Sequence, residues 1–148
     1  MADHAVATGR RTPVWFWIVA VLATLFNAGG LMSYLSSAFD PEAATAGMTP
    51  EQAAYFLNFP AWYTANYALT THLSFLGGVL LLLRQRWAFH AFAIAAALYG
   101  VSLVYHYVLN DVVPTLPAGM HVFSAVIGVQ LVVLALFSRW AAKAEILR

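Results

Sequence analysis

The chain has no cysteine among its 148 residues, which excludes disulfides, thiolate metal ligands and a catalytic cysteine together. Charge is almost as scarce. Asp, Glu, Lys and Arg make up 9% of the sequence, against ~25% in an average soluble domain, while 62% of residues are apolar. Such a chain has too little charge to cover its surface against water, so a soluble enzyme, a nucleic-acid binder and a disordered protein are all excluded. The net charge of +1 points to no polyanionic partner. There is also no phosphate loop, dinucleotide fingerprint, Gly-x-Ser-x-Gly or His-x-x-Glu-His pattern.

What is present is four long apolar stretches, at roughly 14–36, 61–83, 87–109 and 117–137. Each reaches the ~20 residues that a bilayer-spanning helix needs. None contains Asp, Glu, Lys or Arg. The first is too long for a signal-peptide core and no clean small-residue cleavage site follows it, so a retained helix is expected. Residues 1–148 therefore read as one all-α domain, an integral membrane four-helix bundle whose first partner is the lipid bilayer.

Charge then orients the bundle. Arg10 and Arg11, Arg84 and Arg86, and Arg139, Lys143 and Arg148 all fall on one side of the four spans, whereas Asp40, Glu42, Glu51 and Asp111 fall on the other. The positive-inside rule places both termini in the cytoplasm of a multi-pass protein, here of a bacterial inner membrane. Trp15, Trp17, Trp87 and Trp140 mark the cytoplasmic ends of the spans, and Trp62 and Tyr63 open the second span outside, as interfacial aromatics do. The only long connection is the outer loop, 37–60. Within it Thr49-Pro50-Glu51-Gln52 combines an N-cap, a first-turn proline and a capping-box partner, which predicts a short surface helix over 50–58. Asn110-Asp111, Pro114 and Pro117 make the last outer turn.

Helices in lipid associate through small residues and interhelical hydrogen bonds. Placing residues at 100° steps gives each span one small-and-polar stripe. The stripes are Ala20, Ala23, Asn27, Gly30, Tyr34 and Ala38; Asn66, Thr70, Ser74 and Gly77; Ala95, Tyr99, Ser102 and His106; and His121, Ser124, Ala125, Gly128 and Ala135. Depth sorts their polar members into two layers, Tyr34, Asn66, His106 and His121 near the outer surface, then Asn27, Thr70, Tyr99 and Ser124 below. Two readings follow. These groups either bond across helices and fix the packing, at ~0.6 kcal/mol each, or they line an outward-facing pocket for a small ligand. That pocket would use Asn27, Tyr34, Asn66, Tyr99, Ser102, His106 and His121, with Asp111 at its mouth.

A third reading gives His106 and His121 to a haem or a metal. Bis-histidine haem needs two imidazoles at equal depth on facing helices, and a first-row metal wants a third ligand, for which Asp111 or Asn66 is a candidate. His72, about 160° from the Asn66 stripe, is expected to face another helix or a partner chain, and His90 lies at the cytoplasmic headgroups. A tandem repeat of two-helix halves would equate His72 with His121, but the spacings match poorly. The absence of charged residues and of proline breaks inside the spans argues against an ion-coupled transporter.

Met48-Thr-Pro-Glu-Gln-Ala-Ala-Tyr55, Phe59-Pro-Ala-Trp62, Gly77-Gly-Val-Leu-Leu-Leu-Leu-Arg84 and Trp87-Ala88, with Asn27, Gly30 and Tyr34-Leu35, carry a further signal. Over about residues 14–110 the chain resembles a family of small four-span proteobacterial inner-membrane proteins, some of them labelled sugar transporters. The resemblance implies the four-span fold and assigns no activity to particular residues. The expectation is a non-enzymatic accessory or small-ligand-binding subunit. Gly29, Gly78 and the small-residue run from Ala91 to Ala97 would let it pack as a homo-oligomer or in a larger membrane complex. The alternatives are a small transporter and a redox, metal- or haem-binding subunit using the outer histidines.

Overall fold

The computed structural model describes residues 12–110 and 116–148. Four helices within them are long and apolar enough to cross a membrane: α1 (Val14–Phe39), α4 (Ala61–Leu82), α5 (Ala88–Val108) and α6 (Ala118–Lys143). Two short helices, α2 (Pro41–Thr45) and α3 (Pro50–Leu57), occupy the connection between α1 and α4. Three of the long helices begin immediately after a proline: Pro13, Pro60 and Pro117 hold the N-cap positions of α1, α4 and α6 in extended or near-extended backbone. Proline has no N–H and disfavours helix in the residue before it, so each helix starts at a defined point.

The spans match the expected stretches with two extensions. α1 runs on to Phe39, and α6 continues through Arg139 to Lys143 rather than ending at residue 137. Polarity marks where a helix leaves an apolar environment and does not unwind it. The capping box of α3 is formed as expected: Thr49 Oγ1 accepts from Gln52 N at 3.3 Å and Gln52 Oε1 accepts from Thr49 N at 3.2 Å. α2 was not expected. Its signal is Asp40-Pro41, where the Asp40 carboxylate accepts from Ala43 N at 3.1 Å and Pro41 takes the first turn.

Packing follows chain order: α1 lies on α4, α4 on α5, and α5 on α6. The circuit closes through aromatic rings. Trp15 stacks near Phe137 and Trp140, Phe16 near Phe137, and Phe26 lies 6.4 Å from Phe123 further along. Small residues bring the backbones together. A Cβ on Gly78 would stand 2.9 Å from Thr24 Cα of α1, and one on Gly77 would stand 2.9 Å from the buried Phe92 ring of α5. Ala20, Ala23, Ala88, Ala95 and Ala141 fill the rest of the interior with Phe16, Leu81, Phe92 and Leu131.

These contacts revise the expected oligomer face. Gly78, Ala91 and Ala95 are buried within the chain, while Gly29 and Gly30 have open space where a side chain would be. The inner stripe of α1 thus ends at Asn27, and Gly30 and Ala38 are exposed. Ala125 is exposed on α6 as well.

The end of the bundle that carries Arg84 and Arg86 is closed by paired helix terminations. After α4, Arg84 adopts a left-handed φ of 56°, Gln85 N donates to Leu80 O at 2.8 Å and Arg84 N to Leu81 O at 2.9 Å. After α6, Glu145 has φ 58°, Ile146 N donates to Ala141 O at 2.9 Å and Glu145 N to Ala142 O at 3.2 Å. Both are Schellman motifs, built without the usual glycine. The segment after α6 then pairs with the α4–α5 turn. Arg86 N donates to Arg148 O at 2.9 Å, Arg148 N to Arg84 O at 2.6 Å, and Arg84 Nε to Ile146 O at 2.8 Å. Leu147, 1% exposed, plugs the end of the core. Arg10, Arg11, Asp111 and Pro114 lie outside the described residues.

Candidate functional site

The opposite end of the bundle holds the densest polar arrangement, and His106 of α5 is its hub. The imidazole is half-buried and both its nitrogens are engaged: Nδ1 by the Tyr55 hydroxyl of α3 and Nε2 by the Tyr63 hydroxyl of α4, at 2.6 Å. A neutral imidazole has one N–H and one lone pair, so one phenol donates to the ring and the other accepts from it. Aromatic rings enclose the group. Phe59, Tyr105, Tyr55 and Tyr63 all have ring centroids within 6 Å of His106, and Phe59 and Tyr63 stand 4.4 Å from each other.

The hydrogen bonds continue inward along the α4–α5 seam. Ser102 neighbours the Tyr63 hydroxyl, and its Oγ accepts from Asn66 Nδ2 at 2.9 Å. Asn66 Nδ2 also donates to Leu98 O at 3.0 Å. Thr70 Oγ1 then donates to Asn66 O at 2.8 Å. The register explains the run. His106, Ser102 and Leu98 are four apart on α5, while Tyr63, Asn66 and Thr70 are three and four apart on α4, so each pair of turns contributes one rung. Tyr55 stands at the exposed end of this ladder. Partial burial, helped by nearby Tyr105 and Tyr107, pushes its hydroxyl up to about 12. It therefore stays protonated and able to donate over the whole neutral range.

The structure brings Asn66, Ser102 and His106 together and sends the other expected residues elsewhere. Tyr99 of α5 turns the other way, donating to Ser124 O at 2.8 Å with Ser124 Oγ also at 2.8 Å, in the α5–α6 seam. His121 lies in that seam's outer groove, its Nδ1 3.0 Å from the Tyr107 hydroxyl. This groove, about 390 Å³, is lined by Leu103, Val104, Val108 and Ala125 besides Tyr107, His121 and Ser124. Tyr34 packs edge-on to Tyr67 at 5.2 Å and to His72 at 5.8 Å in the α1–α4 seam. Asn27 is buried, but its amide donates to Ala23 O of its own helix at 2.8 Å. The seven residues expected in one pocket are distributed over separate seams. An inward-facing side chain in a four-cornered bundle meets whichever of its two neighbours lies on its side, and 100° steps alone do not decide which.

The same geometry separates the two outer histidines. His121 bonds Tyr107, the residue after His106, and consecutive helical residues point about 100° apart. His106 and His121 therefore address different neighbours, with both nitrogens of the first and Nδ1 of the second already engaged. They do not face each other as haem ligands would. Among the described residues no group of three His, Asp or Glu side chains stands close enough to hold a metal ion; Asp111, the expected third ligand, lies outside them. His72 faces another helix, as expected, through Tyr34.

Three features escaped the sequence reading. Tyr55 and Phe59 join the site from the loop helix and its exit, which stripe assignments within spans do not cover. Tyr63 serves as a ladder rung as well as an interfacial aromatic. Gln130, in the middle of α6, has both amide atoms buried without a hydrogen-bond partner. It lies seven residues from Phe123 and from Phe137, on the line of α6 that meets α1. Comparison with known protein families, curated proteins and solved structures found no match to this chain.

Proposed function

We propose that this chain is a multi-pass integral protein of a bacterial inner membrane, with both termini cytoplasmic. In this reading it serves as a non-enzymatic accessory or small-ligand-binding subunit. Its working surface is the outer end of the α4–α5 seam, beneath α3. The observation that carries this reading is the double engagement of His106 by Tyr55 and Tyr63. Tyr63 and Asn66 are buried rungs of a ladder, whereas Tyr55 reaches it from the short α3 helix in the outer connection. α3 is thus a cover tied to the ladder through the Tyr55 phenol. A small ligand with a hydroxyl or carbonyl group, or a segment of a partner subunit, would take the place of Tyr55 on His106 Nδ1 and meet Phe59 and Tyr105 with its apolar part. Packing within lipid needs far less than a five-member hydrogen-bonded run ending at a cover.

The segregation of charge supports the orientation, and the four apolar helices support insertion. A homo-oligomer or larger complex fits the open surface at Gly29 and Gly30. The separate alignments of His106 and His121 favour hydrogen-bonded recognition over haem or metal chemistry.

Native mass spectrometry of the protein released from membrane nanodiscs tests this, with its absorbance spectrum taken in the same preparation. The expected result is a co-purifying small molecule or subunit on the wild-type chain that is lost from His106→Ala and retained by Gly119→Ala, where a methyl meets open space. A Soret band or a stoichiometric metal removed by the histidine substitution would replace this reading with a redox one. A bare chain with identical spectra in both variants would refute it.

A further inference from the structure

The basic end of the bundle contains a groove that the outer site does not involve. It lies between the start of α5 and the end of α6, about 410 Å³, lined by Arg86, Phe89, His90, Arg139, Ala142 and Lys143. The two elements contribute matching turns. Arg86, Phe89 and His90 are one turn apart, and Arg139, Ala142 and Lys143 repeat the same three- and four-residue spacing on the facing helix. Arg86, His90, Arg139 and Lys143 are exposed, so three permanent cations and an imidazole rim a floor made by Phe89 and Ala142. No acidic side chain is in the lining. Glu145, the nearest acid in sequence, sits past the helix end in the left-handed position that turns the chain toward Arg84.

The groove is also held in shape. Arg86 is fixed at its backbone by Arg148 O at 2.9 Å, and its Nε donates to Leu147 O at 3.4 Å, while Leu147 is anchored in the core. The pairing of residues 146–148 with the α4–α5 turn therefore holds Arg86 beside the end of α6. Trp87 and Trp140, both exposed, flank the same end at the depth where an aromatic belt meets lipid headgroups.

We propose that this groove binds the headgroup of an anionic phospholipid, with the phosphate between Arg86, Arg139 and Lys143 and the glycerol and upper acyl chain along Phe89 and Ala142. The proposal rests on the membrane reading above. Charge complementarity selects the anion, since four basic groups face one another with no acid among them. The apolar floor, continuous with the lipid-facing side of α5 and α6, selects a lipid over a free phosphate. Positive-inside topology alone requires cations somewhere at this end and does not require them on facing turns of two helices.

The test uses the full chain in detergent, after an alkaline carbonate wash of the membranes. Native mass spectrometry then follows binding of phosphatidylglycerol, phosphatidylcholine and inorganic phosphate. Wild type is expected to retain phosphatidylglycerol about tenfold more than phosphatidylcholine. Arg139→Gln and Lys143→Gln should each weaken that binding about fivefold, the worth of one basic residue at an anionic surface. Arg148→Gln, the same charge change at an exposed residue outside the lining, should leave it within about twofold. Arg139→Lys keeps the charge and should restore most of the binding if Arg139→Gln has not merely perturbed the helix.

Equal loss in Arg148→Gln would reduce the effect to net charge and overturn the site. Displacement of the lipid by millimolar phosphate would assign the groove to a free anion and overturn the lipid. Release of the chain by carbonate would refute the membrane reading itself, and this proposal with it. Retention in the membrane with no lipid preference would refute the proposal alone.

Discussion

Tyr55→Phe isolates the cover over the outer site. The substitution keeps the ring that packs on Phe56, Phe59 and His106 and removes only the hydroxyl bonded to His106 Nδ1. A hydrogen bond of this kind is worth about 0.5–1.5 kcal/mol net. Tyr55 is only partly buried, and water can replace part of what is lost, so the lower half of that range applies. The population of α3 lifted from the bundle should then rise about twofold to fivefold. His106→Ala acts on more. Tyr63 is only 5% exposed, so its hydroxyl would lose its 2.6 Å partner where water cannot follow, and the stacking of four rings around the imidazole would go with it. Ser102 still meets the Tyr63 hydroxyl, so the lost hydrogen bond alone costs about 0.5–1.5 kcal/mol.

Amide hydrogen exchange in nanodiscs separates the two effects. In Tyr55→Phe, faster exchange should be confined to 50–57, with 61–82 and 88–108 unchanged. His106→Ala should accelerate both regions. Exchange of 50–57 that matches wild type in Tyr55→Phe would show that apolar contacts hold α3, and the idea of a polar latch would fall.

Three further outcomes follow from particular distances and angles. Gly78→Ala places a methyl 2.9 Å from Thr24 Cα, where ordinary contact begins at 3.4 Å, so α1 and α4 must separate by about half an ångström; thermal unfolding in detergent should show a loss of about 1–3 kcal/mol, against no loss for Gly30→Ala in open space. Glu145→Gly relieves a left-handed non-glycine residue and should raise stability by up to about 1 kcal/mol after the added freedom of the unfolded chain is subtracted, read as a higher melting temperature. Tyr55 titrates near 12 in the folded chain and near 10 when unfolded, so the unfolded state loses its proton first. The Tyr55 contribution should be constant below pH 10 and be lost between pH 10 and 12, and denaturant titrations across that window should show a smaller fall in Tyr55→Phe.

The spans, their order and the α3 capping box were legible because each rests on local chemistry: apolar length, proline at helix starts and a four-residue hydrogen-bonding pattern. The candidate site was legible only in part. Stripe and depth correctly put Asn66, Ser102 and His106 on inner faces, and Tyr99 and Ser124 at a shared level, because both quantities follow from helix rise and twist. Which neighbour each residue meets depends on the rotation of whole helices, and that is set by Gly77 against Phe92, Gly78 against Thr24 and Gly128 against Tyr99. No single stripe contains those pairs. Tyr55 was illegible for a different reason, since its role depends on where a loop helix comes to rest. Schellman endings at Arg84 and Glu145 were hidden because glycine is the usual signal and neither site has it.

The distribution of polar groups over the seams also has an energetic logic. The α1–α4, α4–α5 and α5–α6 seams each contain at least one pairing of polar rings or groups in the outer half: Tyr34 with Tyr67 and His72, the His106 ladder, and Tyr99 with Ser124. In lipid the apolar surface supplies little drive for helix association, and each interhelical hydrogen bond adds only ~0.6 kcal/mol. Spreading hydrogen bonds and polar ring contacts over three seams fixes three rotations, where gathering them in one pocket would fix one. The α6–α1 seam is different. Aromatic rings close it at both levels, and Gln130 sits between those levels with its amide unpaired. On the other side of α6, Tyr99 bonds Ser124 and packs against Gly128. The unpaired amide thus falls in the one seam that aromatic rings close, while the polar pairings of the outer half lie in the other three.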